Sequence, residues 1–407
     1  VNKAEKIELL ALVTLIGFAA AMMFHYVMAV YFHADFPWIT FAAFPTRDFV
    51  FSDFHSIFAD SGRFNPYHAP STFGGVYFPF NYFLFFFLTL LPENLAFLIY
   101  MSAFLVAVLW ATHHFMDTRT SFHRDPAANL AHTKNVFILS LLSYPILFAI
   151  ERANAECIVF VFTLAFLLAY QARRYYLAAF WLACGIAMKG YAGIFLLVFL
   201  FDRRFKEGTV ACLWIAALTF FSLFLFVDDI PHQIDMLLHN LAALRAIEIQ
   251  NFDSANFPFN STLFDFIRVF GLTATPEILS RFTFWGGIAI IGVMVELFLF
   301  EKMLWRQMAA LVAASLLFVP LSVDYHLLRL LFPLYLFVNE KPAAERRSDI
   351  IYTAIFALLL IPKNYFAIAT ISIAHWMETG LLLLLLILIM ADNLSARFKT
   401  RTAAQLS

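Results

Sequence analysis

Five groups of polar residues stand out in an otherwise apolar chain, and their types suggest one chemistry. The first lies in residues 33–76, which carry Asp35, Asp48, Asp53 and Asp60. A carboxylate held at a membrane edge can serve as a general base. The second is Glu151-Arg152-Ala153-Asn154-Ala155-Glu156, and the third is Lys189, alone in CGIAMKGYAGIFLL. A lysine between apolar helical stretches is costly in a bilayer and marks function by default, although near the interface it can snorkel. The fourth is Asp324, Tyr325, His326 and Arg329, with Arg329 about one helical turn beyond His326 on the same face. The fifth, Lys363, Asn364 and Tyr365, reads as an interfacial anchor. Structural readings compete with this chemistry. The second group makes a charged turn with Arg152 offsetting the glutamates, and Asp324 with Arg329 makes an ion pair. A shared reading is that several cations face a loop carboxylate at the rim of an apolar groove. That suits a lipid-linked phosphate, whose head needs Arg or Lys and whose tail needs the groove. The carboxylate would deprotonate an acceptor hydroxyl attacking the adjacent carbon.

The elements that must position these groups are membrane helices. Of 407 residues, 62% are apolar and only 14% charged, with a mean hydropathy of +0.79. An ordinary soluble domain carries about a quarter charged residues, so lipid is part of this chain's solvent. The net charge of −1 offers no basic surplus for a nucleic acid. Cys157, Cys184 and Cys212 sit in apolar runs and have neither disulfide nor metal-site spacing. No acidic pair has metal-ligand spacing, so no metal is expected.

Lys3 and Lys6 precede the first apolar run, which reads as a retained helix with its N-terminus inside. Apolar runs near 209–227, 283–300, 308–320, 327–339, 350–362 and 376–391 follow in the second half. Their connections alternate between basic and base-poor, which assigns each to a side. In the first half, 95–116, 136–150 and 157–172 read as spans, and 77–92 is bounded by Pro79 and Pro92. If 77–92 crosses, Arg119, Arg124, Lys134, Arg173 and Arg174 fall outside and only Arg152 inside. If it dips in and returns, the balance reverses, and the positive-inside rule favours this arrangement. Residues 176–201 are then two short helices meeting outside at Lys189, and must be shielded by protein or line a watery cavity. The apolar spacing around 49–58 predicts a short interfacial helix, and Asn65-Pro66-Tyr67 predicts a turn. Both arrangements give about twelve spans with both termini cytoplasmic. No internal repeat, Gly-rich phosphate loop or soluble domain is evident.

The order of these elements resembles the GT-C superfamily of membrane glycosyltransferases, most closely glycosyltransferase family 87, the polyprenyl-phosphate-mannose-dependent mannosyltransferase-like proteins. Asp48-Phe49, then Gly62 and Asn65-Pro66-Tyr67, resembles the family's first-loop pattern, and Tyr77-Phe78-Pro79 its aromatic–proline entry. Glu151-Arg152-Ala153-Asn154 is similar to a Glu-Arg-Gly-Asn stretch, with Ala153 in place of glycine. Ala183 to Lys189 resembles a small-residue helix ending in Lys, although the proline often found soon after it is absent here. Asn256 to Ser261 loosely echoes an Asn–Ser motif, and Asp324-Tyr325-His326 with Leu328 and Pro333 resembles the late-loop signature.

The resemblance implies an all-α polytopic GT-C fold with interfacial helices in the first extracytoplasmic loop. A catalytic module over 1–227 would contain the outer loop 33–76, followed by a lid at 228–282 and C-terminal helices over 283–407. It implies an inverting transfer of a sugar, mannose or another hexose, from a polyprenyl-phosphate donor to an extracytoplasmic glycan or glycolipid. The lipid-linked donor would be a co-substrate, with no other cofactor. Asp48 would be the catalytic base, with Asp53 in reserve. Arg152, Lys189, His326 and Arg329 would hold the donor phosphate, and Glu151, Asn154, Tyr77, Asp324 and Tyr325 the sugar or acceptor. The expected location is the plasma (bacterial inner) membrane, with the active site outside. The rival reading is a multi-span transporter or lipid flippase, disfavoured by polar groups gathered on one face rather than at the midplane.

Overall fold

The computed structural model describes residues 2–32, 50–63, 65–68, 75–117, 126–226, 228–252, 262–268, 275–319, 322–340, 346–362, 367–368 and 371–406. Among them the architecture is helical, apart from a two-strand hairpin pairing Ala367 with Ser372 and Ile368 with Ile371. Five helices are long and apolar enough to cross a bilayer: Lys3–Met28, Glu93–Met116, Phe205–Leu223, Glu277–Phe300 and Trp376–Ser395. The pair Asn129–Leu141 and Tyr144–Arg152 is apolar enough when taken together but turns by 49° at its break. Pro145 explains the bend. It has no N–H for the carbonyl of Leu141, and its ring crowds that carbonyl.

Proline also sets several helix starts. Pro79 opens Pro79–Thr89, and Pro276 opens Pro276–Phe300 behind Thr275, whose hydroxyl accepts the Ile278 N–H at 3.2 Å. The predicted 327–339 span is split into a 3₁₀ turn over Asp324–Leu330 and the helix Leu331–Asn339. Pro333 accounts for the split, because an α-helix tolerates proline in its first turn but not farther in.

The chain forms two compact units. One comprises Val1–Ala21, Phe115–Tyr144 and Pro258–Ser407; the other comprises Met22–His114 and Pro145–Phe257. In the first, the short helix Leu304–Leu317 and the helix Leu331–Asn339 are almost wholly buried. In the second, the short helices Glu156–Gln171 and Tyr175–Met188 pack together, the latter with Ala178, Ala179 and Leu182–Met188 buried. Long helices instead keep bare apolar faces, such as Met23, Leu213, Phe284 and Trp285. The short helices Leu304–Leu317 and Leu331–Asn339 are thus enclosed by protein, while long ones present apolar faces outward, as lipid requires. This is a membrane protein.

The Lys3 ammonium donates to the Asp117 backbone carbonyl at 2.6 Å and to Asn339 Oδ1 at 2.8 Å. The end of the helix Glu93–Met116 therefore lies beside the start of Lys3–Tyr31. Within 77–92 the helix Pro79–Thr89 has 11 residues, about 16 Å against a hydrocarbon core of ~30 Å, too short to cross by itself.

The predicted short helix near 49–58 is Ser52–Ser61, and the predicted Asn65-Pro66-Tyr67 turn is the 3₁₀ helix Pro66–His68. Phe54 fixes the former in place. Its buried ring meets Phe85 at 6.0 Å and Phe97 and Tyr100 at 5.2 Å each, binding the segment to two helices. Some of the chain's 52 phenylalanines therefore serve ring-on-ring packing within the protein.

Candidate active site

Two adjacent breaks in regular structure build the centre of the second unit. The helix Tyr144–Arg152 ends at Ala153, whose φ of 47° lies in the left-handed region. The helix Ser52–Ser61 begins after Phe51, with φ of 60°. The Phe51 N–H donates to the Glu151 carbonyl at 2.7 Å, which ties the start of Ser52–Ser61 to the end of Tyr144–Arg152, two residues before Ala153. Each left-handed residue costs about 1–2 kcal/mol relative to right-handed backbone. Such strain persists where surrounding contacts over-determine it. Its effect here is to aim Asp53 at Arg152.

Arg152 Nε donates to Asp53 Oδ2 at 3.3 Å, and its Nη2 donates to Asp53 Oδ1. Asn154 Nδ2 donates to Asp53 Oδ2 at 2.6 Å and to the Tyr77 hydroxyl at 3.2 Å. Asn154 Oδ1 accepts the Glu156 N–H at 3.1 Å, starting the helix Glu156–Gln171, and also accepts from the Lys189 ammonium. The Asn154 backbone carbonyl accepts from the Tyr100 hydroxyl. Asn154 is thus a buried hub whose amide joins a carboxylate, a phenol, a helix start and a cation.

Lys189 arrives from the opposite direction. It caps the helix Tyr175–Met188 in extended conformation, where a cation also suits the helix dipole. Its Nζ lies 3.8 Å from Glu156 Oε2 and 5.4 Å from the ring centres of Tyr77 and Tyr191. The predicted pair of short helices meeting at Lys189 is therefore present. Two cations, Arg152 and Lys189, face two carboxylates, Asp53 and Glu156, with the cations less deeply buried than Asn154.

A second layer supports this centre. The Tyr67 hydroxyl donates to the Tyr77 carbonyl at 3.4 Å, and the Tyr82 hydroxyl accepts the Tyr77 N–H at 3.3 Å. Burial pushes the Tyr67 phenol up, with Tyr82 adding to the shift, so it stays a neutral donor. Asp60 is buried and accepts the Gly75 N–H at 3.4 Å, with Arg63 Nε at 3.7 Å. Its carboxyl is nonetheless raised above the usual range, because desolvation outweighs both partners. Asn240 donates to the carbonyls of Tyr67, at 3.0 Å, and Gly75, at 3.2 Å.

The late-loop residues belong to the other unit. There Asp324 Oδ2 accepts from the buried Tyr144 hydroxyl at 2.6 Å, and His326 Nδ1 lies 3.3 Å from Ser322 Oγ. In the 3₁₀ turn His326 and Arg329 are three residues apart and line up along one edge; Arg329 is buried. Within one unit, then, Asp53, Tyr77, Glu151, Arg152, Asn154 and Lys189 are brought together. Asp324, Tyr325, His326 and Arg329 form a separate group in the other. Asp48, Asn256 to Ser261, and Lys363, Asn364 and Tyr365 lie outside the described residues. Sequence reasoning missed Tyr100 as a partner of Asn154 and the role of Glu156 beside Lys189. No spacing rule points to Tyr100, whereas the Asn154-x-Glu156 start of a helix is a visible capping signal.

Residues 76–322, more than half of the chain, match glycosyltransferase family 87. The chain belongs to glycosyltransferase family 87. A comparison with curated proteins returns no match. The matched span of this family 87 glycosyltransferase takes in Tyr77, Arg152, Asn154 and Lys189, while Asp53 and residues 324–329 flank it. Membership also gives Ala153 a context. The position where the family resemblance has glycine is left-handed here, and glycine is the residue that adopts that conformation without strain.

Proposed function

We propose that the protein transfers a hexosyl group, mannose in the first instance, from a polyprenyl-phosphate donor to a hydroxyl of an extracytoplasmic glycan or glycolipid. The acceptor oxygen attacks the anomeric carbon as the carbon–oxygen bond to the phosphate breaks, inverting the configuration. The electron pair leaves with the polyprenyl phosphate, and the acceptor proton passes to a carboxylate. The lipid-linked sugar is the only co-substrate this step requires.

The observation that carries this reading is the run of contacts from Arg152 to the Asp53 carboxylate, from Asp53 to Asn154, and from Asn154 to Lys189. Fixed cations beside a departing phosphate stabilise charge where it develops. Asp53 already accepts three hydrogen bonds out of roughly four lone-pair sites, so it serves best by orienting Arg152. Asp48 is the proposed base, and Asp53 the reserve. Arg152 and Lys189 meet the phosphate. Tyr77 and Glu151 line the sugar and acceptor positions, and Asn154 holds Lys189. The protein is placed in the plasma (bacterial inner) membrane with both termini cytoplasmic, the shorter apolar helices completing about twelve crossings with interfacial helices in the outer loop.

The test is transfer of labelled mannose from polyprenyl-phosphate mannose in membranes containing the protein. Removing a general base typically costs about 10²–10⁴-fold. Asp48→Asn is expected to lose activity on that scale, while Asp53→Asn loses less and raises KM for the donor. Full activity in Asp48→Asn would sink the assignment of the base.

A further inference from the structure

Away from the Asp53–Lys189 centre, three side chains in the second unit converge without a role in the transfer step. His68 lies on the 3₁₀ helix Pro66–His68, while Asp228 and His232 flank the start of the helix Ile230–Phe252. Their nearest ligand atoms all fall within 4.8 Å of one another. His68 Nε2 is 3.3 Å from Asp228 Oδ2, and the His68 and His232 ring centres are 5.8 Å apart. We propose that His68, Asp228 and His232 bind a divalent cation of the zinc type, clipping the first-loop segment to the helix Ile230–Phe252.

Geometry and chemistry both support a metal. Ligands at about 2.0–2.1 Å around a tetrahedral ion are spaced by about 3.3 Å along each edge, which is the observed His68–Asp228 separation. Two imidazoles and one carboxylate form a borderline donor set, suited to zinc rather than to magnesium or calcium. A fourth position remains for water.

The carboxylate has an outer partner: Asn65 Nδ2 donates to Asp228 Oδ2. The Asp228 backbone is held separately, by Gln233 Nε2 donating to the Asp228 carbonyl at 2.5 Å and the Leu223 carbonyl at 3.2 Å. Such outer partners fix ligand orientation. Asn65 is in turn buried and bonded through Oδ1 to the Tyr67 N–H at 2.9 Å. The His232 backbone N–H donates to Asp229 Oδ2 at 3.3 Å near the start of the helix Ile230–Phe252. The clip would join segments that Asn240 already bridges through Tyr67 and Gly75. It does not depend on the identity of the donor sugar.

The experiment uses the full chain purified in detergent, with any histidine tag removed and bound metal stripped. Cobalt(II) is titrated as an optical probe and displaced with zinc(II), and unfolding temperature is measured with and without zinc. Wild type is expected to take up one equivalent with the strong visible absorption of a tetrahedral site, and zinc is expected to raise its unfolding temperature. His68→Ala and His232→Ala should each weaken binding by about tenfold or more and lose the zinc-induced rise, while their metal-free unfolding temperatures stay near that of wild type. The proposal is overturned if wild type takes up no cobalt or zinc. It is equally overturned if both variants bind as wild type does, or if zinc shifts all three proteins alike.

Discussion

The guanidinium of Arg152 meets the carboxylate of Asp53 at two points, Nε on Oδ2 and Nη2 on Oδ1, between residues 99 positions apart. This fork is a property of arginine. A lysine would keep the charge but supply a single point of contact. Arg152→Lys is therefore expected to keep the protein folded and lower transferase kcat at least as much as it raises donor KM. Arg152→Ala leaves Asp53 uncompensated, at a cost of about 2–3 kcal/mol. That is below the scale for a fully buried pair because both side chains keep some exposure. A double-mutant cycle with Asp53→Asn, read by thermal unfolding in detergent, should return a favourable coupling; additive losses would contradict the fork.

Ala153 is wholly buried and left-handed. Glycine there relieves about 1–2 kcal/mol of backbone strain. It also removes a buried methyl worth about 0.8 kcal/mol and loosens the unfolded chain by about 0.5–1 kcal/mol. Ala153→Gly should thus lie within about 1 kcal/mol of wild type and remain active. Ala153→Val combines a β-branched residue with a left-handed φ and no room, for a loss of about 2 kcal/mol or more. Equal unfolding temperatures for the two variants would show that φ does not limit this position.

The raised carboxyl of Asp60 sets the sign of a pH effect. A folded pKa above the unfolded one means that the folded protein holds the proton more tightly. The associated stability is full below the ordinary carboxylate pKa of about 3.9 and is lost as pH rises through the raised value. The unfolding temperature of wild type minus that of Asp60→Asn should therefore fall as pH climbs from about 4 toward neutrality. A difference that rises with pH would reverse the assignment.

In the first unit, the Lys6 ammonium is buried 3.4 Å from Asp349 Oδ2 and 4.1 Å from the centre of the Phe337 ring. Removing one partner of a buried pair costs about 3–5 kcal/mol, whereas replacing both by apolar residues is often neutral. Asp349→Leu should lower the unfolding temperature sharply, and Lys6→Met with Asp349→Leu should restore most of it.

Much of this was legible from residue order. Most of the apolar runs became helices close to their expected limits, because a 20-residue apolar stretch has few alternatives in lipid. Glu151–Asn154 and Lys189 stood out as polar breaks between apolar stretches, and they do meet. Backbone hand did not show, since nothing marks Ala153 or Phe51 as left-handed without the turn they make. The His68–Asp228–His232 group was hidden for a different reason: its members come from segments about as far apart in the chain as Asn65 and Asp228, which are 163 positions apart. The expected helical turn at His326 became 3₁₀ because of Pro333, a residue whose local effect was readable but was outweighed by the apolar run around it.

The interleaving of the two units sets an order on synthesis. A chain made from its N-terminus holds every segment of the second unit once Phe257 has emerged. At that moment the first unit owns only Val1–Ala21 and Phe115–Tyr144. Lys3 waits for Asn339, 336 positions later, and Lys6 waits longer still for Asp349. The part of the protein that carries Arg152 and Lys189 can thus be assembled while the earliest helix is still without its final neighbours. A ribosome stalled late in the message would leave a nearly finished second unit attached to a first helix whose buried lysine has no counter-charge.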